Sequence, residues 1–281
     1  MPAPLQTKES TERSETQVST STRVMVEIAA AAASSCAIAP LVAVIDQAIT
    51  SNASGRERML TSVLNSVRFM CTSPVRFMKS PSVLIMFGVY AGTYSMANLV
   101  DASFELYGQG QSNAHESTKM AAVSATNISL INAKDIAFAR LFGQGPSRPF
   151  PRISMGLFMV RDSCTIAATF SPIPGLVSKH LLQPLGVASP DTLAMLLTPM
   201  SVQALSAPLH LLGLDLYNRN NVAWKDRLAF IRREFVSTAI FRMARALPAF
   251  GLGGVINKHL RSQGKQFLSP NSPGLMSSET Y

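Results

Sequence analysis

The sequence predicts an all-α membrane protein with six transmembrane helices arranged as three two-helix repeats. Three observations lead to this prediction. The 281-residue chain is 47% hydrophobic and only 15% charged, whereas an ordinary soluble domain has roughly 25% charged residues. Apolar stretches long enough to cross a bilayer recur along the chain. Basic residues are concentrated in alternate loops between these stretches, which is typical of loops that lie on one face of a membrane.

Two stretches fit a bilayer-spanning helix without containing any Asp, Glu, Lys or Arg. They are residues 80–100 and 192–214, and a spanning helix needs roughly 17 to 25 mostly apolar residues. The Ala-rich stretch 28–45, which ends next to Asp46, is a third candidate. Three weaker candidates contain charged residues: 120–139, 153–178 and 235–257. The alternative, a soluble bundle with apolar core helices, does not require uncharged runs of this length.

The segments at the two ends of the chain differ from the rest in composition. Residues 1–23 are rich in Ser, Thr and Glu, and residues 262–281 are rich in Ser and Pro, so both are predicted to be disordered. The membrane domain then covers residues 24–261. Its three repeats are predicted at about residues 24–110, 111–183 and 187–261.

The net charge of +9 is distributed unevenly between the loops. The loops after the first, third and fifth predicted helices are strongly basic, whereas residues 101–119 and 179–191 together contain more acidic than basic side chains. Both termini are therefore predicted on the less basic face of the membrane. The expected partners are a small-molecule metabolite and the lipid bilayer, with anionic lipid at the basic loops. No nucleic acid is expected, because no nucleic-acid-binding spacing accompanies the charge.

The sequence contains no pattern typical of a metal site or of an enzyme. Cys36, Cys71 and Cys164 lie far apart, and no His completes a zinc spacing, so we predict small buried thiols, no metal and no cofactor. No Gly-x-Ser-x-Gly motif or ordered spacing of His and acid indicates a hydrolase. The protein is therefore not expected to be an enzyme.

Similar segments recur at intervals of about one predicted helix pair. GLVSKHLL at residues 175–182 is similar to GVINKHLR at residues 254–261, 79 residues later. Asp46, Asp135 and Asp215 lie near the ends of the odd-numbered predicted helices, separated by 89 and 80 residues. Recurrence at such an interval indicates a repeated structural unit. We therefore predict three helix pairs, each joined by a basic connector.

Three helix pairs with basic connectors resemble the mitochondrial carrier family. Arg161-Asp162 is similar to the Arg-Asp pair at the start of that family's fourth helix, and Arg245 begins an Arg-x-x-Pro similar to the start of its sixth. The segment from Asp135 to Arg140 resembles the Asp-x-x-Lys-x-Arg that follows an odd-numbered helix. The resemblance implies a mitochondrial-carrier-like bundle in the mitochondrial inner membrane. It also implies transport of a small anionic or amino-acid-like metabolite.

The chain departs from this family at the Pro-x-Asp-x-x-Lys signature. The residues two positions before the three aspartates are Val44, Ala133 and Gly213 instead of Pro. In carriers these motifs form the salt bridges that close the gates. Either other contacts close the gates here, or transport has been lost. The alternative function is therefore a non-transporting, carrier-derived scaffold or insertase, for which an outer membrane or another organelle membrane is the alternative location.

Arg161, Asp162 and Arg245 are the predicted substrate-binding residues. Ionisable side chains inside a bilayer are costly and normally face the interior of a helix bundle. A guanidinium can bind a carboxylate through two parallel hydrogen bonds, and Asp162 can accept an ammonium group. The alternative interpretation is a structural ion pair, or charges at a helix boundary that extend into the headgroups.

A second set of charged residues is predicted to form a gate or to define the fold on the basic side. It consists of Asp46, Lys134, Asp135, Arg140 and Asp215. The alternative interpretation of this set is interface charges at helix ends. Arg242 is also expected at the membrane interface, because it lies nearer the basic connector than Arg245. His210 is predicted to be an interior imidazole rather than a proton carrier.

Overall fold

The computed structural model describes residues 20–107, 113–144, 149–170 and 172–268. Within these ranges every regular element is helical, and no strand is present. The α-helices are α1 (Thr20–Ala53), α2 (Met59–Thr72), α3 (Pro74–Met78), α4 (Pro81–Leu106), α5 (Asn113–Phe142), α6 (Arg152–Phe170), α7 (Ile173–Val177), α8 (Pro190–Leu205), α9 (Ala207–Asn218), α10 (Trp224–Ala246) and α11 (Gly253–Leu268). Two π-helical turns, Ser178–Leu182 and Leu247–Leu252, interrupt this series. The prediction of an all-α fold is confirmed.

Three stretches of helix are long and apolar enough to cross a membrane. They are α1, α4 and the continuous stretch Trp224–Leu268 that contains α10 and α11. The pair α8 and α9, bent by 40° at its break, makes a fourth candidate if the two count as one span. The described part of the chain is therefore all-helical, with three or four candidate membrane-spanning helices. The larger count of six spans in three repeats stays a prediction, and so does the extent of the disordered ends. Residues 20–23 and 262–268 are helical, and the remainder of both predicted ends lies outside the described residues.

Helix α1 runs antiparallel to α4 and to the stretch formed by α10 and α11, and contacts identify which ends of the helices meet. Near the start of α1, Glu27 bonds Arg261 on α11, and Arg261 also bonds Asp101 near the end of α4. We call this side the terminal end, because both limits of the described chain lie there. Near the end of α1, Asn52 donates to Glu234 on α10 at 2.6 Å. We call this side the connector end, because it carries the basic connectors.

The π-helical turn Leu247–Leu252 shapes the middle of the bundle. Pro248 lies in this turn, and proline is tolerated in membrane helices when neighbouring groups satisfy the backbone that it leaves unpaired. The Ala249 carbonyl accepts a hydrogen bond of 2.9 Å from the Tyr94 hydroxyl on α4. Just beyond the turn, a Cβ atom on Gly253 would overlap that hydroxyl, so only glycine lets α11 approach α4 this closely. The turn therefore holds α10, α11 and α4 together.

One apolar core cluster lies between α1, α4 and α5, and a second lies between α5, α6, α9 and α10. Ala39, Val42, Val83, Met86 and Phe138 are almost completely buried in the first cluster. The three cysteines lie outside the core. The prediction of buried thiols was wrong, since Cys36, Cys71 and Cys164 are all exposed on the surface of the bundle. A small apolar side chain can face lipid as readily as a protein core, so its type did not indicate its position.

Candidate functional site

Charged side chains from four helices meet about halfway along the bundle. We call this group the central network, and its members are Asp46 on α1, Lys134 and Asp135 on α5, Arg161 and Asp162 on α6, and Arg242 and Arg245 on α10. All seven are buried. Burying charges is strongly unfavourable unless they are paired and hydrogen-bonded, so the pairing within the network determines what each member can do.

Asp46 connects three helices through two cations. Its Oδ2 atom lies 2.7 Å from Lys134 Nζ on α5. Arg245 on α10 approaches the same carboxylate, with Nη1 at 3.1 and 3.0 Å from Oδ1 and Oδ2. Lys134 Nζ also contacts Asp135 Oδ1 at 2.5 Å. The carboxylate of Asp46 is therefore shared by the cations of α5 and α10 and links α1 to both helices.

All three nitrogen atoms of the Arg161 guanidinium make hydrogen bonds. Its Nη2 atom lies 2.6 Å from Asp135 Oδ2, and its Nε and Nη2 atoms bind the two Asp162 oxygens at 2.8 and 2.7 Å. Its Nη1 atom lies 2.6 Å from His210 Nδ1. Because a guanidinium only donates, Nδ1 accepts and the imidazole is neutral with its proton on Nε2. The prediction that His210 is an interior imidazole is confirmed, since it is buried beside Phe158.

A cavity of about 250 Å³ lies on the terminal-end side of the central network. Its charged and polar floor is formed by Lys134, Asp162, Gln203 and Arg245. The polar residues of its wall come from α4, α5 and α6, namely Tyr90, Thr93, Tyr94, Ser124, Asn127 and Thr165. Two of the three predicted substrate-binding residues, Asp162 and Arg245, therefore line the cavity. The third, Arg161, lies behind Asp162 and is 0% exposed.

Arg242 is the cation of the central network that has no carboxylate partner within the described parts of the chain. It is 1% exposed, so the expectation of an interfacial position was wrong: α10 carries it well inside the bundle. Its Nε atom donates to the Gln203 carbonyl at 3.0 Å, and its Nη2 atom contacts Gln203 Oε1 and, at 3.4 Å, Ser206 Oγ. Four cations thus face three carboxylates in this network.

The predicted gate or fold set is divided by the structure. Asp46, Lys134 and Asp135 belong to the central network, but Asp215 lies in a separate cluster near the connector end. There Asp215 is fully buried and pairs with Arg219 and Arg227. Arg140 is exposed, and no ion pair within the described ranges includes it. Sequence spacing placed these residues near the same helix ends but did not reveal which of them touch.

A second layer of charged side chains, which is partly buried and which the sequence interpretation missed, lies at the terminal end. We call it the terminal layer, and its charged members are Glu27, Asp101, His115, Lys119 and Arg261. Arg261 binds both oxygens of Glu27 and lies 2.9 Å from Asp101 Oδ2. Lys119 Nζ and His115 Nε2 approach the same aspartate at 2.8 and 3.0 Å. One signal was available, because a Glu near the start of an otherwise apolar helix requires a partner.

Paired asparagines separate the terminal layer from the cavity. Asn98 on α4 and Asn257 on α11 exchange hydrogen bonds of 3.1 and 2.8 Å, and Asn98 also donates to the Glu27 carbonyl at 3.0 Å. The cavity therefore lies between two polar closures: the asparagines with the terminal layer on one side, and the central network on the other.

The comparisons with known proteins give one family. A family model described as a probable citrulline exporter matches residues 29–265. No curated protein and no solved structure matches the chain. The expected membership of the mitochondrial carrier family was wrong, since the match is to a different family and no carrier family matches. The short Arg-Asp and Arg-x-x-Pro similarities reflect buried charges and prolines, which are common to polytopic transporters of other families. The chain belongs to the probable citrulline exporter family.

Proposed function

We propose that this protein transports a zwitterionic amino acid of the citrulline type across a membrane. Its binding site is then the cavity on the terminal-end side of the central network. The observation that carries the proposal is that Arg245 and Asp162 both line one cavity. A guanidinium and a carboxylate at this position suit the α-carboxylate and the α-ammonium of an amino acid. The description of the family supports the same substrate class.

The side chains around the cavity suit the remainder of such a substrate. Thr93, Ser124 and Asn127 offer neutral donors and acceptors, and Asn127 Nδ2 already donates to Thr93 Oγ1 at 3.2 Å. A ureido group needs neutral hydrogen-bonding partners of this kind, because it carries both N–H donors and a carbonyl acceptor. Tyr90 and Tyr94 add aromatic surface for the aliphatic part of the substrate. The chemistry therefore favours a polar, uncharged side chain on the substrate.

Transport requires each closure to open in turn. On the terminal side, the asparagine pair and the bonds of Arg261 must separate. On the connector side, the bonds that tie Asp46 to Lys134 and Arg245 must separate. A substrate carboxylate that binds Arg245 competes with Asp46 for the same guanidinium and so weakens this closure. Substrate binding and opening are thereby coupled through one side chain, with no covalent chemistry.

The alternative function, a membrane scaffold or insertase without transport, lacks a comparable supporting observation. A cavity with charged groups on its floor supports small-molecule binding rather than a scaffold function. The predicted location in the mitochondrial inner membrane stays a prediction, and fractionation of cells that express the tagged protein tests it.

Binding and uptake of citrulline test the proposal directly. A ligand that binds the folded state raises its melting temperature by mass action, so citrulline is expected to stabilise the purified protein in detergent. Proteoliposomes loaded with unlabelled citrulline are expected to take up labelled citrulline. Arg245→Gln should abolish both effects, whereas the matched change Arg233→Gln, at an exposed position on the same helix, should leave both intact. Folded wild-type protein that shows neither effect with citrulline would overturn the proposed function.

A further inference from the structure

Two arginines of the central network converge on one neutral oxygen. Arg242 and Arg245 are three residues apart on α10, so they lie on the same face of that helix. Arg242 Nη2 contacts Gln203 Oε1, and Arg245 Nη2 lies 3.3 Å from the same atom. A carboxamide oxygen thus accepts hydrogen bonds from two buried guanidinium groups. Gln203 and Arg245 line the cavity, and the buried Arg242 is bonded to Gln203.

A carboxylate oxygen suits this position better than an amide oxygen does. A carboxylate oxygen carries negative charge, so it adds Coulomb attraction to both guanidinium groups that a neutral carboxamide oxygen does not supply. Arg242 has no carboxylate partner within the described chain, and a buried cation without one is strongly unfavourable. One additional negative charge would balance the four cations and three carboxylates of the network. The local chemistry therefore favours an anionic group at the place that Gln203 Oε1 occupies.

We propose that Arg242 and Arg245 form a carboxylate subsite and that the Gln203 carboxamide occupies this subsite when no substrate is bound. The assignment rests on the proposed function and deepens it, since it states where the α-carboxylate of the substrate binds. Asp162, on the same cavity floor, then faces the α-ammonium. Arg242 thereby becomes a substrate-binding residue that the sequence interpretation did not include, and the Gln203 side chain competes with the substrate for the subsite.

The position of Gln203 connects this exchange to the shape of the bundle. Gln203 lies near the end of α8, and Arg242 bonds its backbone carbonyl and also Ser206, which separates α8 from α9. The two helices meet there at an angle of 40°. When a carboxylate replaces the Gln203 side chain, the contacts of α10 with this break change. Binding at the subsite therefore acts on the bend between α8 and α9.

Substitutions at Gln203 test the exchange. Gln203→Glu places a tethered carboxylate in the subsite. It should raise the melting temperature of the unliganded protein and weaken citrulline binding by at least about tenfold. Gln203→Ala leaves the subsite vacant and should bind citrulline at least as tightly as the wild type does. Wild-type citrulline affinity in Gln203→Glu would overturn the assignment.

Simple carboxylates separate the subsite from the identity of the transported substrate. Acetate should raise the melting temperature of the wild type and of the control Arg233→Gln, whereas the uncharged probe acetamide should not. The acetate effect should be lost in Arg242→Gln and in Gln203→Glu. An acetate effect without any citrulline binding would contradict the proposed substrate but support the subsite. Folded wild-type protein that does not respond to acetate would overturn the subsite, whatever citrulline does.

Discussion

The central network is buried and the terminal layer is only partly buried, and the two ionic groups also differ in how completely their charges are paired. In the terminal layer, Arg261 binds two carboxylates, and Asp101 is also approached by Lys119. In the central network, Arg242 has only neutral partners in the described chain, and one of them, Gln203, lines the cavity. The terminal layer closes one end of the bundle with its own charges, whereas the central network keeps one positive charge available for a ligand.

Among the substitutions that test this comparison, removing the charge of Asp46 should have the largest effect on stability. Asp46→Asn deprives Lys134 and Arg245 of the carboxylate that they share, and removing one partner of a buried ion pair costs about 3 to 5 kcal/mol. We expect a large fall in the yield of folded protein and in its melting temperature. Asp226→Asn, in the first turn of α10, is the control, because Asp226 is exposed. Wild-type stability of Asp46→Asn would show that the network does not depend on this carboxylate.

Breaking the terminal layer should have a smaller effect on stability and a specific effect on access. Arg261→Ala removes charge-assisted bonds to Glu27 and Asp101 and should cost about 2 to 3 kcal/mol. Ser124→Cys, introduced after replacing the three exposed cysteines by serine, provides a label in the cavity wall. A membrane-impermeant maleimide added on the terminal side should label it several-fold faster in Arg261→Ala. Unchanged labelling would contradict the assignment of this layer as a closure.

The contact of α4 with α11, between the central network and the terminal layer, depends on the close approach at Gly253. Gly253→Ala introduces a Cβ atom that overlaps the Tyr94 hydroxyl and disturbs its bond to Ala249. Overpacking of this kind costs about 1 to 3 kcal/mol, so the melting temperature should fall. Gly254→Ala is a matched control, because a Cβ atom on Gly254 would meet no atom within 4 Å. Equal stability of the two variants would mean that α4 and α11 move apart without cost.

The smallest effect is expected where the terminal layer reaches its exposed rim. Lys265 bonds Glu105 at 2.7 Å, but the two side chains are 42% and 51% exposed. Exposed ion pairs contribute about 0 to 1 kcal/mol. Lys265→Ala should therefore leave both the melting temperature and the labelling of Ser124→Cys close to the values without this substitution. A loss comparable to that of Arg261→Ala would show that the closure extends to the rim.

The sequence allowed the charged interior to be predicted, but not its pairing. Absence of charge identified residues 80–100, which lie almost entirely within α4. Charge inside apolar stretches also identified Asp162 and Arg245, which both line the cavity. The roles of Arg161 and Arg242 could not be separated in this way. Arg161 meets its carboxylates, and Arg242 meets only Gln203, because of how α6, α8 and α10 pack across long separations in the sequence.

The orientation of apolar faces was unpredictable for a different reason. In a soluble protein, apolar residues spaced three or four positions apart mark the face of a helix that is buried, and polar residues mark the opposite face. In a bilayer, the outer surface is as apolar as the core, so this contrast is lost. Cys36 and Cys164 therefore gave no sign that they face outwards. Only the polar side chains kept a preference for the interior, which is why they were the better guide.

The π-helical turn Leu247–Leu252 has a consequence for the angular phase of the last long helix. In an uninterrupted α-helix, the 12 positions from Arg245 to Asn257 correspond to a rotation of about 120° away from the starting face. A single extra residue accommodated in a π turn removes about 100° of that rotation. Arg245 and Asn257 are thereby returned to nearly the same azimuth. One inserted residue allows a single helical rod to present polar groups inwards at two different depths.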